Sequence, residues 1–415
     1  MMEGWKQIKL GDVCNINNKN INKNFSFEDI TYLDISSVGS GNVDFSNNIS
    51  KNDAPSRAKR IPIKNDSIIA TVRPGNKTYC YLNDFPENTV VSTGFAILSP
   101  IEEKIDSRYL YYIVSEDSFT SYLVSVEKGA NYPAVSANDI ADAKVTIPPI
   151  KTQRKIVAIL SAYDDLIENN LKRIKLLEEQ AQQTYEEWFV RFKFPGYENV
   201  EIDVVSGLPF GWEISTLGEF AKTSSGGTPS RKKESEYYEN GTIPWVRTGE
   251  LKNFILIDSE QKITKLGLSK SSAKLFPKKT VLLAMYGNTI GETTFLTFEA
   301  STNQACCGFL VKDDIYKSYF LHQFLLNQKE YILNFRMGAA QENISQGIIQ
   351  GIKFKKPSKD ILLEFEKQIS PKYDLIEILY NQNQHLKEAR DILLPRLMSG
   401  LVDPSSSSGQ VVESL

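Results

Sequence analysis

Ala70-Thr71-Val72-Arg73-Pro74-Gly75-Asn76-Lys77-Thr78-Tyr79 leaves a strand-like stretch carrying a guanidinium, an amide, an ammonium and a phenol. Ser224 to Lys233 mixes flexible glycines with Arg231, Lys232 and Lys233, and Tyr286, Asn288, Asn303, Gln304, Gln341 and Asn343 add more amides and another phenol. Asn131, in Asn131-Tyr132-Pro133-Ala134, completes the set. These are the groups that hydrogen-bond guanine, adenine and phosphate. Any one of them reads equally well as a solvated loop residue; together they favour contact with DNA.

Groups that make or break bonds are missing. Ser225-Gly226-Gly227-Thr228-Pro229 lacks the lysine and spacing of a phosphate-binding loop, and Gly39-Ser40-Gly41 lacks the third glycine of a dinucleotide fingerprint. Asn131-Tyr132-Pro133-Ala134 lacks the doubled proline of an amino-methyltransferase box. The acidic pairs Asp164-Asp165 and Asp313-Asp314 have no lysine in nuclease spacing, and the first pair reads as a solvated helix face. Cys14, Cys80, Cys306 and Cys307 form no C-x-x-C pair, and the two histidines, His322 and His385, lie far apart in sequence. A histidine-based metal or catalytic site is not expected.

The elements that must position the polar runs are short strands. Ser67-Ile68-Ile69-Ala70-Thr71-Val72 and Gly94-Phe95-Ala96-Ile97-Leu98 are apolar and bounded by turn formers, while Tyr109-Leu110-Tyr111-Tyr112-Ile113 lies in a helix expected from about Ser107 to Val126. From about 152 to 192 there is no Gly or Pro, and a stripe recurs at steps of four and three: Ile156, Leu160, Tyr163, Ile167, Asn170, Ile174, Leu177, Ala181, Thr184 and Trp188. That is a coiled-coil seam.

Shifting by 209 gives Phe365, Ile369, Lys372, Ile376, Leu379, Asn383, Leu386, Arg390, Leu393 and Leu397, a second and more polar seam. Pro371 is expected to break or start this helix and Pro395 to end or kink it. Such stripes either pack against their own module or pair with each other; two matched helices of ~60 Å, at ~1.5 Å per residue, favour pairing. Asn170 and Asn383 then either fix register in the seam or sit at exposed turns.

The shared offset marks a duplication. Gly4-Trp5 through Leu10-Gly11-Asp12 recurs as Gly211-Trp212 through Leu217-Gly218-Glu219, and Asp165-Leu166-Ile167-Glu168 recurs as Asp374-Leu375-Ile376-Glu377. One gapless offset of 209 holds from Gly129 to Trp188, whereas earlier stretches need 207 to 213. The period is too long for a solenoid. Divergent loops on a common framework suit two modules with different ligands, and neutral drift gives the same pattern.

Composition sets outer bounds. The 415 residues leave room for two domains with their own cores. A net charge of −3 argues neither for nor against nucleic acid, which depends on a local basic stripe. There is no signal-peptide pattern at the start and no apolar run near the ~18 residues of a membrane span, so no membrane partner and a cytoplasmic location are expected.

The paired Gly-Trp-(x)4-Leu-Gly-[Asp/Glu] openings, Gly226-Gly227-Thr228-Pro229 followed by Ile243-Pro244-Trp245, Ser92-Thr93-Gly94-Phe95 and Ser301-Thr302-Asn303-Gln304 together resemble the specificity subunit of type I restriction-modification enzymes. So do Ile147-Pro148-Pro149-Ile150-Lys151-Thr152-Gln153 and Leu393-Leu394-Pro395-Arg396-Leu397-Met398-Ser399-Gly400, and the likeness covers nearly the whole chain. Lys356-Pro357-Ser358-Lys359-Asp360 departs from it, lacking the second proline and the glutamine before the second helix. The resemblance implies a mixed α/β fold of two tandem target-recognition domains, each followed by a long helix, the two helices pairing as an antiparallel coiled coil.

The expected boundaries are 5–150 and 212–357 for the domains, 151–194 and 358–400 for the spacer helices, 195–211 for a linker and 401–415 for a disordered tail. The resemblance also implies double-stranded DNA, two methyltransferase subunits and restriction or translocase subunits as partners. No cofactor belongs to this chain; S-adenosylmethionine, ATP and magnesium would serve the partners. The target would be two short unequal halves, not a palindrome. A duplicated protein-interaction scaffold without DNA reading is the alternative.

Overall fold

The computed structural model describes residues 4–22, 24–129, 131–311, 314, 316–337 and 342–404. It divides into two units, residues 1–167 with 385–415, and residues 168–384. The division passes through both long helices, so each helix contributes to both units.

In the first unit the buried strand Asp66–Ala70 lies between Phe95–Pro100 and Tyr79–Leu82, with Cys14–Ile16 at the far edge, all antiparallel. Both faces of Asp66–Ala70 are covered, which is why its residues are uninterruptedly buried and show no polar alternation. A second sheet runs Asn48–Ser50, Asp29–Leu33, Thr89–Ser92, Ala58–Arg60, with its central pair parallel. Strand Lys6–Lys9 pairs with Lys144–Ile147 and closes the module where the first long helix begins.

The second unit repeats this wiring. Lys222–Ser225, Cys306–Leu310, Val281–Ala284 and Thr293–Leu296 form the first sheet, extended by Ile255–Leu256. Lys262–Ile263, Ile243–Val246, Ala300–Thr302 and Leu275–Phe276 form the second, again with a parallel central pair. Glu213–Thr216 with Lys353–Lys356 is the closing pair. The same strand order in both modules, with one strand added in the second, is the structural form of the sequence offset.

The expected helix over 107–126 is two, Ser107–Ser115 and Asp117–Val126. Glu116 between them is extended, and its carbonyl accepts from Phe119 N and Thr120 N at 3.1 Å. The break turns Phe119, Thr120 and Leu123 into the core.

The first long helix spans Ile150–Tyr185 and continues as one wider turn over Glu186–Val190, where Arg191 N bonds Glu186 O at 2.9 Å. The second spans Lys359–Met398 without interruption. Pro371 therefore does not break it and Pro395 does not end it. Both prolines, and the residues four positions before them, Lys367 and Asp391, are exposed, so the carbonyls that lose an N–H partner lie where water can replace it.

The helices both pair and pack. In the first unit Ile156 and Leu160 share a core with Leu394, Leu397 and Met398, and with Trp5, Leu10 and Tyr109 of the module; Leu393 borders it. In the second, Ile174, Ala181, Tyr185, Trp188 and Phe189 meet Phe365, Ile369, Tyr373, Ile376 and Leu379, together with Trp212 and Phe320 of the module, and Leu177 borders them. Low-numbered residues of one helix meet high-numbered residues of the other, so the pair is antiparallel in each unit. Ile167 is buried, while Tyr163, Leu386, Thr184 and Lys372 are only half-buried. At the last two places the core is filled by the next residue, Tyr185 or Tyr373, because Lys372 Nζ bonds the Gln368 carbonyl and Thr184 Oγ1 the Gln180 carbonyl. Asn170 and Asn383 are buried and bonded to each other, Nδ2 to Oδ1, at 2.9 Å.

Candidate nucleic-acid interface

In the first module, the loop after strand Asp66–Ala70 is fastened to the segment before helix Ala137–Ala141. Arg73 N donates to Pro133 O and Val135 N to Thr71 O, both at 2.8 Å. Arg73 and Lys77 adopt left-handed backbone, with φ of 49° and 53°, on either side of the single turn Pro74–Asn76. Such strain is held by the surrounding bonds, and it turns a tight corner that leaves Arg73, Asn76 and Lys77 exposed.

The Arg73 guanidinium lies 5.2 Å from the Tyr132 ring centroid, and Asn131 is exposed beside it. Lys77 Nζ pairs with Asp117 at 2.7 Å. Tyr79 is different: it is half-buried against Tyr111, and burial raises its hydroxyl pKa. It belongs to the floor of the loop.

The second module builds the same lattice. Gly287 N donates to Glu342 O at 3.0 Å and Ile344 N to Met285 O at 2.9 Å, and Tyr286 forms a bridge with Asn343. Here the loop presents Tyr286 and Asn288, both exposed, in place of a cation pair. Gln341 lies outside the described residues.

Ser225 to Pro229 is laid along the end of strand Ala300–Thr302. Gly227 N bonds Thr302 O at 2.8 Å and Trp245 Nε1 bonds Gly227 O at 3.0 Å. A Cβ on Gly226 would overlap Thr302 and come within 2.6 Å of Asn303 O, which is why glycine stands there. Thr228 donates to Gln304, while Asn303 Oδ1 accepts from Ala305 N and Cys306 Sγ at 3.2 Å. Asn303 thus shapes its turn, and Gln304 is exposed.

Arg231 is held by its own module. Its guanidinium sits 4.1 Å from the Tyr238 centroid and 5.6 Å from that of Trp245, and bonds Gln261 at 2.9 Å and Glu234 at 3.1 Å. Lys233 pairs with Glu236 at 3.3 Å, and Lys232 is exposed.

The structure therefore gathers Arg73, Asn76, Lys77 and Asn131 at one end of the first module. In the second it joins Tyr286 with Asn343, and Gln304 with the Ser225–Pro229 run. Tyr132 was not singled out from the sequence, although an aromatic beside Asn131 is the kind of stacking residue that could have been.

Two polar pins hold the helices to the modules. Asp164, read as part of a solvated face, accepts from Tyr112 Oη at 2.6 Å and Arg390 Nη1 at 2.7 Å and is only a quarter exposed. Burial works against the Arg390 charge, but Asp164 and Asp391 outweigh it and keep it protonated. At the matching place in the second unit, Tyr373 Oη lies 2.6 Å from His322 Nδ1 and accepts from Gln323 Nε2 at 2.8 Å. Burial pushes His322 down to about 3, so it is neutral.

The four cysteines are free and buried, and burial pushes the Cys14, Cys80 and Cys307 thiols up to about 12. Among the described residues no group of three or more His, Cys, Asp or Glu is placed to hold a metal ion, and no helix is long and apolar enough to cross a membrane.

Comparison with known proteins gives a consistent result. A family model described as the type I restriction modification DNA specificity domain matches residues 2–179 and again 209–388. The HindI specificity subunit of Haemophilus influenzae is 25% identical over 96% of this chain and 100% of its own length. The MjaIX specificity subunit of Methanocaldococcus jannaschii is 28% identical over 77% of this chain and 79% of its own. The crystal structure of an S subunit from M. genitalium superposes with a TM-score of 0.57 at 13% identity, covering 95% of this chain and 96% of that one, a likeness of fold.

Proposed function

The chain belongs to the type I restriction-modification DNA specificity family and is a non-catalytic specificity subunit, and from that premise we propose that it reads a split, asymmetric double-stranded DNA target. The observation that carries this reading is the doubled loop lattice. The bonds Arg73 N to Pro133 O and Gly287 N to Glu342 O put equivalent loops in equivalent places, yet one loop offers Arg73, Asn76 and Lys77 and the other Tyr286 and Asn288. A common frame with unlike polar groups suits two unlike half-sites, because base edges are told apart by their donor and acceptor patterns.

Residues 5–150 and 212–357 are the reading domains in this proposal. Lys232, Gln304 and Asn343 contribute alongside Tyr286 and Asn288, while Arg231, Lys233, Asn303 and Tyr79 act by holding the loops. The paired helices set the separation of the half-sites and dock two methyltransferase subunits, through which restriction subunits join. Leu166 and Ile392 in the first unit, and Leu171, Leu176 and Ile378 in the second, are exposed on those helices and offer apolar contact. S-adenosylmethionine, ATP and magnesium are used by the partners, in the cytoplasm.

The test is binding of duplex DNA by the chain assembled with its methyltransferase subunits, titrated across salt. Steep loss of affinity with salt is expected, since each neutralised phosphate releases counterions. Salt-insensitive binding of other polypeptides, with no DNA bound, would favour the scaffold reading instead.

A further inference from the structure

One basic strand of the first module has no role in the loops described above. In Ala58–Arg60, at the edge of the second sheet, Lys59 is exposed and Arg60 half-buried, and Arg57 just before it is exposed. Arg60 Nη1 is buried without a hydrogen-bond partner. Burial lowers the Arg60 pKa with no carboxylate to offset it. A sheltered guanidinium nitrogen left unpaired is costly and calls for an explanation. Arg247 of the second module also leaves a buried nitrogen, Nε, without a partner, but there an ion pair with Glu260 at 2.8 Å offsets the charge. Among the described residues Lys19, Arg57, Lys59 and Arg60 form no salt bridge, and the one carboxylate that feels any of these charges is Asp66, which is buried and acted on weakly by Lys19.

Charges on an edge strand often serve only to block sheet-to-sheet association. Here the edge is already covered. Ile21 N bonds Lys59 O at 2.8 Å, Ile61 N bonds Lys19 O at 3.0 Å, and Asn20 bridges Arg60. This covering segment brings exposed Lys19 to the same place.

The strand also adjoins the candidate interface. Thr93 N donates to Arg57 O at 2.9 Å, Thr71 N to Gly94 O at 2.8 Å, and Val135 N to Thr71 O at 2.8 Å. The counterpart strand in the second module is Leu275–Phe276, and Lys274 before it is bonded to Ser224 at 3.0 Å.

We propose that Arg57, Lys59 and Arg60, with Lys19, form a stripe that grips the phosphate backbone beside the half-site read by the first module, adding affinity without base preference. The proposal rests on the DNA reading given above. Phosphate contacts fix position and carry no sequence information, so the stripe and the Arg73 loop divide the two tasks.

The experiment compares the assembled methyltransferase complex carrying wild-type chain, K59Q/R60Q, K19Q/R57Q or the charge-preserving K59R/R60K, each titrated with duplex bearing the complex's own methylated site. Each Gln pair should reduce the slope of log affinity against log salt by about 1.8, two contacts at ~0.9 each, while K59R/R60K keeps it and the methylated motif is unchanged in all. K19Q/R57Q alters exposed side chains only, so it guards against a folding defect at Arg60. Unchanged slopes in both Gln pairs, or a changed motif, with the wild-type complex still binding its split site, overturn the stripe and leave the module reading standing. A wild-type complex with no salt-dependent DNA binding removes both.

Discussion

Asn170 Nδ2 donates to Asn383 Oδ1 at 2.9 Å in the seam of the two long helices, and both side chains are buried. A polar pair in an apolar seam fixes register, because any slip leaves both amides facing carbon. Replacing one partner, as in Asn383→Leu, should cost about 1–3 kcal/mol and lower Tm by several degrees. The double variant N170L/N383L should recover at least wild-type Tm while loosening register. Calorimetry on the three chains checks this; a double variant less stable than either single one contradicts it.

Arg390 belongs to the polar pin of the first unit. In Arg390→Met the Asp164 carboxylate keeps only Tyr112, at a cost of about 2 kcal/mol, less than the ~3–5 kcal/mol of a fully buried pair because each side chain keeps about a quarter of its exposure. D164L/R390L should regain most of that loss in denaturant unfolding. The exposed pair Lys9 with Asp142 should show no comparable effect when broken.

Glu178 gives the helix pair a pH dependence. Burial, with a smaller contribution from Glu179, pushes its carboxyl up from 4.5 to about 7. An acid that holds its proton more tightly when folded loses stability as pH rises through that window. Glu178→Gln should therefore raise Tm more at pH 8 than at pH 5, and an equal gain at both values would refute the assignment.

Gly226→Ala should act on one half of the target. Its Cβ would meet Thr302 and Asn303 O, displacing the run that carries Thr228 and breaking the Thr228 bond to Gln304. The second half-site should be relaxed and the first left intact. Arg73→Ala should do the reverse, weakening the first half only, as read from methylated motifs. Equal changes in both halves from either variant would contradict the modular reading.

Much of this was legible in the sequence. The 209-residue offset foretold the matching sheets, and the four-three spacing marked the two helices that pair, although Thr184 and Lys372 stand off their shared core. Local strand signals found Asp66–Ala70 and Phe95–Pro100. What was hidden depends on contacts remote in sequence. Asp164 looked solvated because its partners lie 52 and 226 residues away. Arg231 looked like a free cation because the Tyr238 and Trp245 rings that shelter it come together only in the fold. Pro371 and Pro395 neither break nor end the helix, because both are exposed and the carbonyls that lose a partner lie toward water.

The central claim is that two modules on one framework read two different half-sites. Mapping methylated adenines in DNA from cells carrying the assembled complex tests it most directly. Two short, unequal specified segments separated by a fixed number of unspecified base pairs are expected; a continuous or palindromic motif would contradict it.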